Sequence, residues 1–237
     1  KDGWISYNEF TRFVCSSAAV QLPVPRSFET AVQQCKESGS VFSDESFPAD
    51  EVSLWGPSRI PPHDQKLIPE WRRPKDFGTA ANPFNEPLAL FLRDPTPGDV
   101  LEGALGDCFF ISAVSVLCRR PQLIRQLFIS DGLSEEGVYA IRLFLDGRWR
   151  VVVIDDMLPV NPATGLPAFG HTHRPGELWL SLLEKAYAKL YGSFAAISGG
   201  NVSEALRDLT GCAVQDINVP NSETRRFVQH GQLWEQV

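Results

Sequence analysis

Apolar residues recur at i, i+3, i+4 and i+7 along several stretches of the chain, and these stretches predict its helices. Phe110, Ala113, Val114 and Leu117 put one apolar face on a helix from about Cys108 to Arg119. Pro121 opens a short second helix carrying Leu123, Ile124 and Leu127. Trp179, Leu182, Leu183, Ala186, Tyr187 and Leu190 share a face between Leu178 and Tyr191. Upstream, Phe28, Ala31, Val32 and Cys35 predict a helix from about Arg26 to Lys36, with Ser27 as its cap and Gly39 past its end. A further helix starts near Asn201, where Glu204 completes a capping-box-like pattern, and Gly211 stops it. Val138 to Leu145 and Arg148 to Ile154 read as two strands joined at Asp146-Gly147, a strong hairpin signal. Helices plus an antiparallel hairpin, without βαβ alternation, predict an α+β fold.

Between Phe47 and Asn85 the pattern breaks. Pro48, Pro57, Pro61, Pro62, Pro69, Pro74 and Pro83 exclude long helices. Trp55, Trp71, Phe77 and Phe84 predict that this segment is laid over a surface as ordered, irregular chain, since a free linker needs no large aromatics.

The 237 residues suffice for one sizeable domain or two small ones, and a hydrophobic content of 43% allows a packed core. A net charge of −7 counts against a nucleic-acid surface. Apolar runs such as Val151 to Ile154 are too short to span a bilayer, and Lys1-Asp2-Gly3-Trp4 opens no secretory pattern, so neither membrane nor export is indicated. Cys15, Cys35, Cys108, Cys118 and Cys212 are odd in number, widely spaced and free of any CxxC pair. They read as reduced thiols of an intracellular, cytoplasmic protein.

Cys108 follows Leu105-Gly106-Asp107 at the start of its helix. There, unpaired backbone N–H groups and the positive end of the helix dipole stabilise a thiolate. Gly103 and Gly106 are expected to let a substrate backbone approach closely. From position alone, a small buried apolar role is the commoner one for a lone cysteine.

The surrounding motifs change that balance. Gly103-Ala104-Leu105-Gly106-Asp107-Cys108-Phe109-Phe110 resembles the calpain nucleophile motif, in which an aromatic residue, usually Trp, follows the cysteine. Trp149 to Ile154 with Asp155-Asp156-Met157-Leu158-Pro159 resembles the calpain strand that ends in an acidic pair and Leu-Pro. Glu177-Leu178-Trp179 with Leu183-Glu184-Lys185-Ala186-Tyr187-Ala188-Lys189-Leu190 resembles the long calpain helix. Gly192 to Ile197, Gly199-Gly200 and Glu204 to Gly211 continue the likeness in order. Phe42 to Pro48 and Glu70 to Pro74 are similar to the anchor segment before the core, and Gly231-Gln232-Leu233-Trp234 resembles the large plant-type calpains.

The resemblance implies a papain-like calpain core, mainly its helical first subdomain with a β-hairpin. It divides the chain into an EF-hand remnant (1–13), an anchor segment (14–80) and an incomplete catalytic domain (81–237). It also implies a calcium-dependent cysteine endopeptidase acting on proteins and peptides. Its base histidine and orienting asparagine would come from a second subdomain, the missing half of the core. None of His63, His171, His173 and His230 has the sequence context of that base. His171 and His173 alternate on one side of an extended segment, and the family has a comparable, non-catalytic histidine in this loop.

Where the family places an oxyanion-hole glutamine, this chain has Glu102. An amide donates a hydrogen bond to developing negative charge; an ionised carboxylate cannot, and repels it. The alternative reading is therefore a calcium-responsive binding or regulatory module with an impaired oxyanion hole. For calcium, the resemblance matches Asp99 and Glu177 to a site in the core, completed by backbone carbonyls near Leu92 to Asp94. Asp2-Gly3-Trp4-Ile5-Ser6-Tyr7-Asn8-Glu9 resembles the second half of an EF-hand loop, with Asp2, Ser6 and Glu9 as its ligands.

Overall fold

In the computed structural model of the chain, residues 24–61, 66–77 and 87–214 are described. The EF-hand-like residues Asp2, Ser6 and Glu9, together with Cys15, His63, Phe84, His230 and the segment 231–234, lie outside them.

The expected helices form, with local corrections at their ends. Helix α1 spans Arg26–Ser38 and Gly39 closes it at φ 65°. Its N-cap position is Pro25 and carries no side-chain cap, so Ser27 lies inside the first turn. Helix α2 (Glu51–Trp55) was not expected; the Asp50 carboxylate accepts from the N–H groups of Val52 and Ser53 and nucleates it. Helix α3 spans Cys108–Leu117 and stops short of Arg119. The cause is Pro121: the residue before a proline is pushed out of the helical region, and Arg120 sits at φ −131°, ψ 80°. Pro121 then opens α4 (Pro121–Arg125). Helix α5 spans Trp179–Tyr191 and α6 spans Val202–Thr210. Asn201 gives α6 no side-chain cap, so the capping box does not form, although Gly211 ends the helix at φ 69° as expected.

The hairpin pairs Val138–Leu145 with Arg148–Asp155 in full register. Asp146 and Gly147 both take positive φ, 53° and 74°, as a tight primed turn requires. Two short antiparallel pairs complete the sheets: Glu70–Arg72 with Leu158–Val160, and Val100–Leu101 with His171–Thr172. The strands are named in chain order: β1 (Glu70–Arg72), β2 (Val100–Leu101), β3 and β4 (the hairpin), β5 (Leu158–Val160) and β6 (His171–Thr172). The arrangement is α+β.

Helices α3 and α5 meet in the centre of the core, where Phe110 stacks on Tyr187 at 4.5 Å between ring centres. Every residue of α5 from Trp179 to Ala188 is buried, including Glu184 and Lys185. The proline-rich segment is laid on this core as expected. Phe47, Leu54 and Trp55 are buried in it, Trp71 and Phe77 pack against it, and Phe47 and Trp71 both contact Phe194. Ion pairs lock it down: Asp44 with Lys189 at 2.6 Å, and Asp156 with Arg73, which also donates to Phe42 O at 2.8 Å. The buried Lys185 donates to the Asp155 carboxylate and to the carbonyls of Asp155 and Met157. The acidic pair at the end of β4 is thus structural: each acid neutralises one base. Among the described residues, no helix is long and apolar enough to cross a membrane.

Candidate active site

Helix α3 begins at Cys108 itself. Its thiol is exposed, whereas Cys35 and Cys118 are buried and Cys212 is half-buried; all four are unbridged. Burial, joined by the nearby charges of Asp99 and Glu177, pushes the Cys118 thiol up to about 12, so this sulfur stays protonated and inert. No side chain caps the first turn of α3, because the carboxyl of Asp107 at the N-cap position points into the core. The positive end of the helix is left to the Cys108 sulfur and to solvent.

The loop before Cys108 is held by the chain's own backbone. Gly106 takes φ 75°, its carbonyl accepts from Gly199 N at 3.1 Å, and Leu105 O accepts from Ser198 Oγ at 2.9 Å. A side chain at Gly200 would put Cβ 2.7 Å from the Phe109 ring, so the aromatic residue after the cysteine closes over that glycine. A Cβ at Gly103 would lie 2.3 Å from the Phe169 backbone. This corrects the expectation that Gly103 makes room for substrate: the space is filled by residue 169. Gly106 serves a left-handed turn.

Alongside runs the segment 168–172. Ala104 N donates to Ala168 O at 2.9 Å, and Leu101 pairs with His171 across β2 and β6. Gly170 is gripped by α5: its N–H donates to Glu184 and its carbonyl accepts from Ser181 Oγ at 2.7 Å. The Glu184 carboxyl faces that of Asp107, and burial raises the proton affinity of both. Sequence reasoning missed this pair. An acid inside a strongly apolar helix is the available signal, and the single apolar face expected of α5 conceals it.

Glu102 is exposed on the same loop as Cys108. His171 is half-buried, with Nδ1 2.8 Å from Phe169 O, and His173 is exposed with its backbone N–H on Asp99 O. They are the two described histidines: His171 opens β6, the strand flanking the loop, and His173 follows directly after it. No group of three or more His, Cys, Asp and Glu side chains suited to a metal forms among the described residues.

Asp99 and Glu177 are both buried, 2% and 4% exposed, and the charges of both reach Arg93 and Cys118. Asp99 ends a 3₁₀ turn, Pro97–Asp99, and its Oδ2 accepts from Thr96 N and Oγ1 at 2.8 and 2.7 Å. Its Oδ1 pairs with Arg93. Burial pushes Asp99 upward, but these hydrogen bonds outweigh it and hold the carboxyl below its ordinary range. Glu177 Oε1 accepts from Leu92 N at 2.9 Å, while its Oε2 is buried without a hydrogen-bond partner. Of the expected loop carbonyls, Arg93 O is taken by the Arg125 guanidinium at 3.0 Å.

An α+β core that presents its exposed cysteine at an uncapped helix start has the build of a thiol-hydrolase subdomain. The calpain family cysteine protease model matches residues 42–237. The chain is 39% identical over 218 residues to the calpain-type cysteine protease DEK1 of Arabidopsis thaliana, covering 90% of this chain and 10% of that protein. It is 39% identical over 196 residues to the calpain-type cysteine protease ADL1 of rice (Oryza sativa subsp. japonica), covering 83% of this chain and 9% of that protein. With the mouse (Mus musculus) calpain-1 catalytic subunit it shares 36% over 192 residues, covering 78% of this chain and 25% of that subunit. The chain belongs to the calpain family of cysteine proteases. It spans about a tenth of the length of the plant relatives and a quarter of the mouse one.

Proposed function

We propose that this chain is the nucleophile-bearing part of a calcium-dependent cysteine endopeptidase core that performs limited intracellular proteolysis. The observation that carries this reading is the exposed Cys108 at a bare helix start, in a family member whose other described cysteines are covered or partly covered. The Cys108 thiolate attacks a peptide carbonyl carbon, and the carbonyl π pair moves to oxygen. Collapse expels the amine, which takes a proton from the base of the second subdomain, and leaves a thioester. Water, giving a proton back to that base, then releases the acid and restores the thiolate. Four unbridged thiols support a reducing, intracellular setting.

Asp99 and Glu177 suit calcium in donor type, and the unpartnered Glu177 Oε2 is an acceptor in want of a cation. When bound there, calcium supplies the positive charge that Arg93 now provides to Asp99. The loop bearing Asp99 continues through β2 into Glu102, so the ligand loop and the catalytic loop are one stretch of chain. Calorimetric titration of a chain lacking residues 1–13 tests this. Binding is expected at millimolar calcium or below; its absence, or its persistence in an Asp99→Ala, Glu177→Ala double variant, places calcium elsewhere.

Catalysis is tested on the full-length protein, where casein turnover is expected and is abolished by Cys108→Ser. The 237-residue chain alone is expected to turn over none, since loss of one triad member costs orders of magnitude. Turnover by the chain alone that Cys108→Ser abolishes refutes the dependence on a second subdomain. Exposed Glu102 in the oxyanion position favours a second reading, a calcium-responsive binding module, and an inert full-length protein would establish it.

A further inference from the structure

Two buried carboxyls meet behind the nucleophile, and the chemistry above uses neither. Asp107 immediately precedes Cys108 and is 0% exposed; Glu184 comes from α5 and is 1% exposed. Gly170 N donates to both oxygens of Glu184, at 2.9 and 3.0 Å, while Gly170 O accepts from Ser181 Oγ at 2.7 Å. Ser181 and Glu184 are i and i+3, so one turn of α5 takes both polar groups of a single residue. The grip is close: a Cβ at Gly170 would come within 2.9 Å of Glu184 Oε1 and of Ile111 Cδ1.

The gripped residue lies in the segment 168–172 that runs alongside the loop of Glu102. Ala168 bonds Ala104, Phe169 fills the space over Gly103, and His171 pairs with Leu101. On its other side the Glu184 carboxyl faces Asp107, both of whose buried carboxyl oxygens lack a conventional donor among the described residues. Two carboxyls in contact in a dry site cannot both be ionised, so one proton lies between them.

We propose that Glu184 is a positioning residue for the Cys108 reaction. As a neutral acid it donates to the Asp107 carboxylate and accepts from Gly170 N, locking the helix start that carries Cys108 to the segment 168–172 that flanks the loop of Glu102. Ser181 completes the clamp. The shared proton also limits the pair to one negative charge beneath a helix end that must favour a thiolate. The electrostatics agree in sign: burial first, then the charge of Asp107, hold the proton on Glu184. The proposal rests on Cys108 being the nucleophile.

The test is the rate at which iodoacetamide labels Cys108 in the 237-residue chain, read by mass spectrometry, with circular dichroism melting alongside. Glu184→Gln keeps both contacts, its amide oxygen on Gly170 and its NH₂ on Asp107, and is expected to label within about twofold of the parent chain. Glu184→Met keeps the length and loses both, leaving Asp107 uncompensated beside the sulfur; labelling is expected to slow about tenfold in the folded variant. Equal rates for the parent and the Met variant overturn the proposal, as does a loss in the Gln variant as large as in the Met one. Should the Met variant not fold, Ser181→Ala, which releases only Gly170 O, is expected to slow labelling about threefold, and an unchanged rate overturns the clamp. A parent Cys108 no faster than Cys212 overturns the nucleophile reading itself, a result distinct from any failure of the clamp.

Discussion

Replacing Gly103 with alanine adds one methyl group at the crossing of two backbones. The new Cβ would stand 2.3 Å from the Cα, C and O atoms of Phe169. Non-bonded carbon atoms prefer about 3.5–4.0 Å, so the overlap exceeds about 1 Å. Gly103 does not occupy left-handed backbone, so the cost is collision alone. Were there space, the substitution would stabilise the fold by about 0.4–1 kcal/mol through a less flexible unfolded chain. There is none, and residue 169 cannot retreat. Ala168 is bonded on both sides, to Pro159 O and from Ala104 N, and Gly170 is held by Glu184 and Ser181. Overpacking of a core costs about 1–3 kcal/mol, and a collision between pinned backbones belongs at the top of that range or above it. A loss of about 3 kcal/mol lowers the melting temperature of a chain this size by about 6–12 °C. Differential scanning calorimetry of the 237-residue chain measures it. A midpoint unchanged or raised, together with lost substrate turnover in the full-length protein, would refute the reasoning and return Gly103 to a role in substrate approach.

Three further outcomes are expected. Lys185→Met should cost about 3–5 kcal/mol in urea unfolding, because it strands the buried Asp155 carboxylate without its cation; a cost below about 1 kcal/mol would show that the pair is dispensable. Glu184 titrates above its ordinary value of 4.5, so its contribution is intact below that pH and is lost as pH rises through the folded value. Thermal melts should therefore show Glu184→Gln gaining on the parent chain from pH 5 to pH 8, and a constant gap would mean that the carboxyl does not hold its proton. Glu102→Gln in the full-length protein should raise peptide turnover about 10²-fold by restoring a donor to the oxyanion; equal or lower activity at every pH would remove residue 102 from the hole.

Most of the fold was legible because it is local. The 3.6-residue period located α1, α3 and α5, and the end signals at Asn201 and Gly211 located α6, all within about three residues; Asp146-Gly147 marked the hairpin turn, since only a few residue types accept positive φ at both positions. The misses share one origin: they depend on partners far away in the chain. The pairs β1 with β5 and β2 with β6 are too short to show alternation. The full burial of α5 was hidden because amphipathic reasoning assigns a helix one apolar face, whereas Lys185 and Glu184 are covered on the side judged polar. What allows their burial is a cognate charge or a shared proton supplied by Asp155 and Asp107, and no local pattern announces those.

The site divides in the same way. Family motifs marked Cys108, Glu102, Asp99 and Glu177, yet the counter-ion of Asp99 was not visible. That counter-ion is Arg93. Six residues before Asp99, it reads as surface charge, and its guanidinium is half-exposed, but it closes on a carboxylate that is 3% exposed. An exposed arginine pairing with a buried acid is held by hydrogen bonding to Asp99 more than by burial, and it leaves Glu177 Oε2 unanswered. A divalent cation entering between Asp99 and Glu177 would thus exchange one positive charge for two and satisfy the orphaned oxygen. Because Asp99 runs directly into β2 and the loop of Glu102, that exchange would act on the strand paired with β6, next to the Gly170 that Glu184 and Ser181 grip. Calcium and the carboxyl clamp would then bear on one strand pair from opposite ends, and the geometry of Cys108 would depend on both.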